Sequence, residues 1–507
     1  MTKGERPARS GPVELRWRTV GLMVGGAGMA GFGAAVLSGV DTGLSQPWAT
    51  LLGGTGVLAA GILTYVNGRD TRKQAEEHHN EQMARERERH ADDTERAREA
   101  ALWERFGAAA AQLADKSAAI RIAGVYAMAG VADERSGANR QQCIDVLCGY
   151  LRLPYDPEQG GSGRTKLVTK TAGADGAEQE EHTEYRQNDR EVRATILRAI
   201  ADHLRPQAEH SWSSSDFDFR TAHLESVDFS MAKFAGIARF DRATFASDTH
   251  FDRATFSGDT RFDRANFSDD ACFIGATFAG STRFGNATFA GNAWFGNATF
   301  AGNAWFDRAT FARQAGFNDA TFANGARFGE ATFASCAGFN GVTFAGAAEF
   351  SCATFAEVAE FNDATFSAFA GFSFATFADN TWFDRATFAG GVWFDRAAVA
   401  GIARFNRATF AGGAKFDNAI FSNMVGFHRA TFAGGAGLDS ATSSDYLRGR
   451  FSFLKVDFGT EFVSFGGPQE WGPPAPTFDW DEDLSQKPAN VEPQDWPPAV
   501  AVPPPDA

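Results

Sequence analysis

Five cysteines in 507 residues (Cys143, Cys148, Cys272, Cys336 and Cys352) are odd in number and irregularly spaced, which excludes a disulfide framework. Cys143 and Cys148 lie five apart in a segment with helical periodicity, and no His or Cys pair accompanies them, so the sequence presents no zinc site. Positive charge is also scarce. A formal net charge of −15 argues against a general nucleic-acid binder, whose phosphate-facing surface is basic. The glycine run 160–163 lacks the Lys-Ser/Thr of a phosphate-binding loop. Residues 107–205 bring together no acid, base and nucleophile. These absences point away from an enzyme, from a bound metal and from a cofactor.

Two stretches, 19–40 and 48–66, are uncharged and mostly apolar, and each is long enough to cross a hydrocarbon core of about 30 Å as a helix. The link between them, 41–47, carries no Lys or Arg. Lys3, Arg6, Arg9, Arg16 and Arg18 precede the pair, and Arg69, Arg72 and Lys73 follow it. The positive-inside rule then predicts a transmembrane hairpin over 19–66, with the basic N-terminus 1–18 and everything after 66 in the cytoplasm. No small-residue cleavage site marks a signal peptide. Gly21 and Gly25, and Gly31 and Ala35, are small-xxx-small pairs that let helix backbones approach in lipid. They pack the hairpin on itself or join two copies of the chain.

Residues 67–106 are dense in Glu, Arg, Asp and His, with opposite charges at helical spacing and no apolar heptad, which predicts a solvated helical stalk. From 107 to 205 apolar residues return at helical spacing: Leu113, Ile120, Val125, Met128 and Val131, then Ile144, Val146, Leu147 and Leu151, then Val192, Ile196, Ile200 and Leu204. This is a small helical domain, interrupted at 156–187 by a Gly-, Thr- and Glu-rich insertion expected to be disordered. The run 117–130 is similar to a helix of the HEAT or armadillo type.

Phenylalanine then recurs at every eleventh position. One phase runs from Phe240 through Phe251, Phe262, Phe306 and Phe383 to Phe427, and a second, five residues later, from Phe245 through Phe256, Phe267, Phe311 and Phe388 to Phe432. Each phase has eighteen positions. The first is wholly Phe and the second has one exception, Val399. The residue two before each Phe is small, usually Ala. Two residues apart on extended backbone is the same face, so Ala and Phe point together into a narrow core. At the start, Ala222-His223-Leu224, Phe229 and Ala232-Lys233-Phe234 keep a strict period of five.

Over residues 217–442 this pattern resembles the pentapeptide-repeat family, in a Phe-centred variant whose double repeat is one residue longer than two pentapeptides, and the chain resembles its membrane-anchored bacterial members. The resemblance implies a mainly β fold, a right-handed quadrilateral β-helix with four pentapeptides per turn and the central residues stacked inside. One extra residue in alternate units, as in 388–394, lengthens each coil by two and places a bulge on two opposite sides. Thirty-six positions at four per coil give nine coils. Residues 206–220 and the helix before them are expected to cap one end, and 443–465 the other.

Some family members mimic DNA and bind type II topoisomerases through strongly negative rods. From Phe240 to Phe432, 18 Asp plus Glu face 14 Lys plus Arg, a net of only −4 with the signs mixed. Thr stands before the second-phase Phe at 15 of 18 positions, Asn266, Ala398 and Ile420 excepted. Such rows order water on ice-binding solenoids, but they equally suit a strand. Trp294, Trp305, Trp382 and Trp393 each precede a first-phase Phe and therefore point outward, as partner anchors or as packing over the bulge. Residues 466–507 are acidic and Pro-rich, expected to be disordered and open to a basic or proline-reading partner. The sequence as a whole predicts a two-span protein of a bacterial inner membrane, with its repeat domain in the cytoplasm. It would serve as a non-enzymatic scaffold with a protein partner, and it would self-associate, if at all, through the first span or the solenoid end. A topoisomerase-binding DNA mimic and a signalling protein acting through the helical region are the alternatives.

Overall fold

A computed structural model describes residues 46–155, 157, 166–172, 178–184, 189–439, 441–443, 451–465 and 476–497. The chain divides into two units, 1–100 and 101–507.

The first unit is helical where it is described. Helix α1 (Gln46–Leu113) takes in the second apolar stretch and the charged stalk, and its last turns enter the second unit. Leu58, Ile62, Leu63, Tyr65 and Val66 stand exposed on it. Among the described residues no helix is long and apolar enough to cross a membrane. The first apolar stretch, its glycine pairs and the basic N-terminus lie outside the described residues. Farther along α1, Arg85 pairs with Glu81 and Arg96 with Asp92 and Asp93 at 3.1–3.8 Å. Such exposed pairs contribute about 0.3–0.5 kcal/mol each, enough to favour a solvated helix without a partner.

The second unit begins with helices α2 (Ala118–Asp133), α3 (Gly137–Leu151) and α4 (Asp189–Leu204), joined by a hairpin of β1 (Lys166–Ala172) and β2 (Glu178–Glu184). The hairpin corrects the expectation of disorder for those two segments. The antiparallel register sets Lys166 opposite Glu184 and Lys170 opposite Glu180, and opposite charges facing one another across strands favour pairing, which composition alone does not register. Val125, Met128, Ile144, Leu147, Val192, Ile196 and Ile200 form the helical core. Ile120 does not join it and is 42% exposed, whereas its neighbour Arg121 is fully buried. The Arg121 guanidinium donates to the carbonyls of Asp115 and Lys116 and lies 3.7 Å from Asp189. A paired charge thus takes the place that the apolar pattern offered to Ile120.

The helices close the first coil of a right-handed β-solenoid of about 11 turns. Trp212, fully buried, stacks on His203 at 3.9 Å and donates its indole N–H to Asp133. Gln141 exchanges two hydrogen bonds with the Asp216 backbone, and Arg152 reaches Asp218 at 2.5 Å. Burial pushes the Asp218 carboxyl up, but hydrogen bonds from Arg220 and the charges of Arg152 and Arg220 outweigh it and hold the group below its usual range.

Four parallel sheets of 13, 11, 11 and 10 short strands form the sides of the solenoid, so the lengthened coil keeps four faces. Strand pairs such as Thr260↔Thr282 and Phe267↔Phe289 make each regular coil two Phe periods long. The first coil is one shorter, Phe217 pairing with Ala238, because the strict period of five holds there. The turn count exceeds nine because strands from Phe217 to Phe234 precede the regular phase and strands from Phe451 to Glu492 follow it.

Each coil turns at two kinds of corner. In the tight corner, Phe240-Asp241-Arg242-Ala243, Ala243 N–H donates to Phe240 O and Arg242 takes a φ of 57°. That conformation recurs once per Phe period, mostly on non-glycine residues, against the usual cost of about 1–2 kcal/mol each. The wide corner holds the extra residue, and there successive coils approach closely. A Cβ on Gly302 would lie 2.4 Å from the Gly280 carbonyl oxygen.

Residues 451–465 and 476–497 cover the far end. Phe451–Phe453 pair with Val425 and Gly426, and Thr477–Phe478 stack on Ser452–Phe453. Trp480 is buried against Phe478, and Trp496 packs edge-on to Phe478. The expectation of a disordered tail is thereby corrected for 476–497. Its aromatic residues find an open Phe stack to cover, and that burial outweighs the ordering entropy that composition alone weighs. Residues 466–475 and 498–507 lie outside the described residues.

Val399 sits in the second-phase column between Phe377 and Phe421. Val399→Phe should restore the stack and raise stability by about 1–2 kcal/mol in chemical denaturation; a loss of stability would mean the column has closed over the smaller side chain. Thr282 occupies an Ala position, and its buried hydroxyl lacks a partner. Thr282→Ala should therefore be neutral or stabilising by up to about 1 kcal/mol, and a loss above that in the same assay would assign the hydroxyl a partner.

Candidate functional site

The interior of the solenoid is closed to chemistry. Phe240, Phe245, Phe251, Phe256, Phe262, Phe267, Phe306, Phe311, Phe383, Phe388, Phe427 and Phe432 are all fully buried. Their rings form four columns. Phe262 and Phe284 are 4.7 Å apart and 1° from parallel, and Phe251 meets Phe262 edge-on at 5.7 Å and 82°. Whatever the rod recognises must meet its outer faces.

Trp294 and Trp382 lie on one side and Trp305 and Trp393 on the opposite side. None stands free. A Cβ on Gly316 would touch the Trp294 ring at 2.9 Å, so that ring lies flat over the next coil. Arg283 sits over Trp305 at 5.0 Å, Arg404 over Trp382 at 5.1 Å and Lys415 over Trp393 at 4.8 Å, and Phe369 also meets Trp393 edge-on. Each of these three indoles covers the strand surface and holds a cation. Trp393, 41% exposed, keeps the most free surface of the four.

Thr rows occupy the other two sides, with Thr277 opposite Thr299 and Thr310 opposite Thr332. At several places opposite charges on successive coils pair. Arg308 pairs with Glu330 at 2.9 Å, Arg385 with Asp363 at 2.5 Å and Arg327 with Asp307 at 3.2 Å, and Arg404 also meets Asp384. These pairs neutralise one another along the rod, unlike a duplex with a charge of one sign. A further ladder escaped sequence reading. The side-chain oxygen of Asn318 accepts from the backbone N–H of Asn340, Asn340 from Asn362, Asn362 from Asp384, Asp384 from Asn406 and Asn406 from His428, at 2.9–3.2 Å. The even spacing of these polar residues, one per coil, was its signal.

One cluster has metal-ligand chemistry. His250, Asp252 and Cys272 bring an imidazole nitrogen, a carboxylate oxygen and a sulfur within 4.8 Å of one another. The sequence offered no metal ligand here, because Cys272 reaches Asp252 only through coil closure. Three donors of this mixed type suit a divalent transition ion with one open position. The Cys272 thiol donates to Asp252 at 2.9 Å. Burial first, then the Asp252 hydrogen bond and charge, push that thiol up to about 12. In the helical region, Asp189 accepts from the Tyr150 hydroxyl at 2.5 Å and lies near Arg121 and Arg193. This cluster is buried and paired, and it ties α3 and α4 together.

The thiols make a direct test. At pH 8, exposed Cys352 should react with iodoacetamide first. Cys272, and Cys148 whose thiol burial also pushes up to about 12, should react at least tenfold more slowly. Equal rates at Cys272 and Cys352, read by peptide mass spectrometry, would contradict the Asp252 hydrogen bond.

Among the known protein families, a family model for pentapeptide repeats (9 copies) matches residues 219–266, 262–310 and 394–442. No curated protein and no solved structure matches the chain.

Proposed function

The chain belongs to the pentapeptide-repeat family, and we propose that it is a membrane-tethered, non-enzymatic scaffold of a bacterial inner membrane, with its repeat rod in the cytoplasm. The observation that carries the scaffold reading is the rod itself. Its four faces are regular and its core is closed, and its ends are covered by helices and by the tail, which leaves outer surface as its main functional asset. Tethering rests on the two apolar stretches, on the basic residues that flank them, and on the exposed Leu58, Ile62, Leu63, Tyr65 and Val66 of α1, which water would disfavour and lipid would accept. The same rule puts both termini on the cytoplasmic side. A protein partner would meet the rod at Trp393, the most exposed of the four Trp, and at its neighbours.

Two measurements test the two halves of this reading. The full chain should sediment with membranes, resist carbonate and dissolve in detergent, whereas a chain lacking residues 19–66 should stay in the soluble fraction. If both sediment alike, tethering by the hairpin is wrong. Proteins co-purifying with the full chain in mild detergent should be lost from a version lacking residues 208–450. Retention of the same partners would move function to the stalk and helical domain, and topoisomerase subunits among the losses would favour DNA mimicry.

A further inference from the structure

The negative net charge hides a local excess of the opposite sign. Arg239, Arg261 and Arg283 stand directly opposite one another on three successive coils of the 13-stranded sheet. At the adjoining tight corners, Arg242 and Arg264 hold positive φ angles of 57° and 58°. Arg152, at the C-terminal end of α3, and Arg220, on the first coil, approach from the capping side. All of these but Arg283 line one groove of about 860 Å³, together with Thr221, Asp241, Asp263 and Asn286. Six guanidinium groups therefore meet two carboxylates, in a chain with a net charge of −15.

Internal pairing does not account for this arrangement. Arg152 and Arg220 are both held by Asp218, the second through a two-pronged contact at 2.8 Å. The other four, Arg239, Arg242, Arg261 and Arg264, form no ion pair among the described residues. The Nε–H groups of Arg239 and Arg261 are buried without an acceptor. Asp263, a carboxylate lining the same groove, has its Oδ1 engaged by the backbone N–H of Gly285 at 3.1 Å. Like charges opposite one another on adjacent strands are destabilising, and an unmet buried donor costs about 1–3 kcal/mol. Two tight corners farther along the rod carry ion pairs, Arg308–Glu330 and Arg385–Asp363. Arg242 and Arg264 do not, and in this they resemble the corner residues Arg253, Arg407 and Arg429; what sets them apart is the column of Arg239 and Arg261 beside them.

We propose that this groove binds a compact oligophosphate, the chemistry shared by free nucleoside polyphosphates and by phosphorylated inositol headgroups. All six cations are Arg and none is Lys. The guanidinium fork engages phosphate oxygens two at a time, and successive coils present such forks about 4.8 Å apart. The groove's volume falls in the range of small-ligand sites. A nucleic-acid backbone does not fit, because the column ends after three coils, where Trp305 replaces the next cation. The site goes beyond the scaffold reading and does not depend on it, since the groove lies at the capped end of the rod, on Arg residues rather than on the Trp surface.

The test uses the full chain in mild detergent, with tripolyphosphate, adenosine triphosphate and inositol trisphosphate as probes in calorimetric titration. The wild type should bind tripolyphosphate at least tenfold more tightly than orthophosphate, and more weakly as salt rises. The double substitution Arg239→Gln with Arg261→Gln should weaken binding at least tenfold. Arg242→Gln with Arg264→Gln, at exposed corners, gives the same reading should the first pair fail to fold. Arg407→Gln, at a tight corner far along the rod, should bind as the wild type does. Preference for adenosine triphosphate assigns a free nucleotide, and preference for inositol trisphosphate assigns a lipid headgroup. The proposal is overturned if tripolyphosphate does not bind, if both double variants bind as the wild type does, or if a polyglutamate peptide binds more tightly than any phosphate.

Discussion

The structure depends on one coincidence of lengths. Parallel strands repeat at about 4.8 Å, and the Phe rings of successive coils stack with centroids 4.5–5.1 Å apart over most of the rod. Offset aromatic stacking is favourable at that separation, so the backbone ladder and the aromatic core reach their optimum at the same rise. Neither has to stretch for the other. Side-on contacts between neighbouring columns then fill the width of the coil, and the small residue two before each Phe, mostly Ala with Thr or Val at places such as Thr260, Thr282 and Val392, leaves room for the rings. A residue larger than Thr or Val at that position would push the columns apart, and a smaller aromatic count would leave the centre hollow. The uniformity of the sequence follows from this constraint: every coil meets the same neighbour above and below.

The corners show what the core constraint costs. A tight corner needs a left-handed residue once per Phe period, and the chain places Arg, Asn and Asp there more often than glycine. Those side chains project from the edges of the rod, where they form the ion pairs Arg308–Glu330 and Arg385–Asp363. The glycines concentrate at the wide corner instead, where the backbone of one coil nearly touches the next. Local strain and close approach are thus divided between two kinds of corner, and each selects its own residues.

The repeat was legible because its period is local. Phe at every eleventh position, with Ala two before, prescribes the strands, the inward face and the length of the coil. The opposed Trp pairs also follow from the count, since one Phe period is half a coil. Features set by packing between unlike segments were not legible. The buried place of Arg121 depends on Asp189 in another helix, and the apolar pattern pointed to Ile120. The order of 476–497 depends on Phe453 and Phe465 offering an uncovered surface, while composition in that tail reads as disorder. The cluster of His250, Asp252 and Cys272 exists only once the coil has closed.

A solenoid changes how chemistry can be encoded. In a globular fold, residues distant in sequence meet by long-range topology. Here positions one coil apart meet on every face, so a functional group can be built by repeating one residue type down a column. The chain does this with Asn and Asp to satisfy backbone donors, with Thr along two faces, and with Arg over three coils beside the helical cap. The Asn column continues over many coils because it satisfies the rod's own backbone. The Arg column is different in kind: it is short, it leaves donors unmet, and it stops where Trp305 begins. A column that stabilises the fold has no reason to end after three turns at the capped end. A column that recognises something of limited size does.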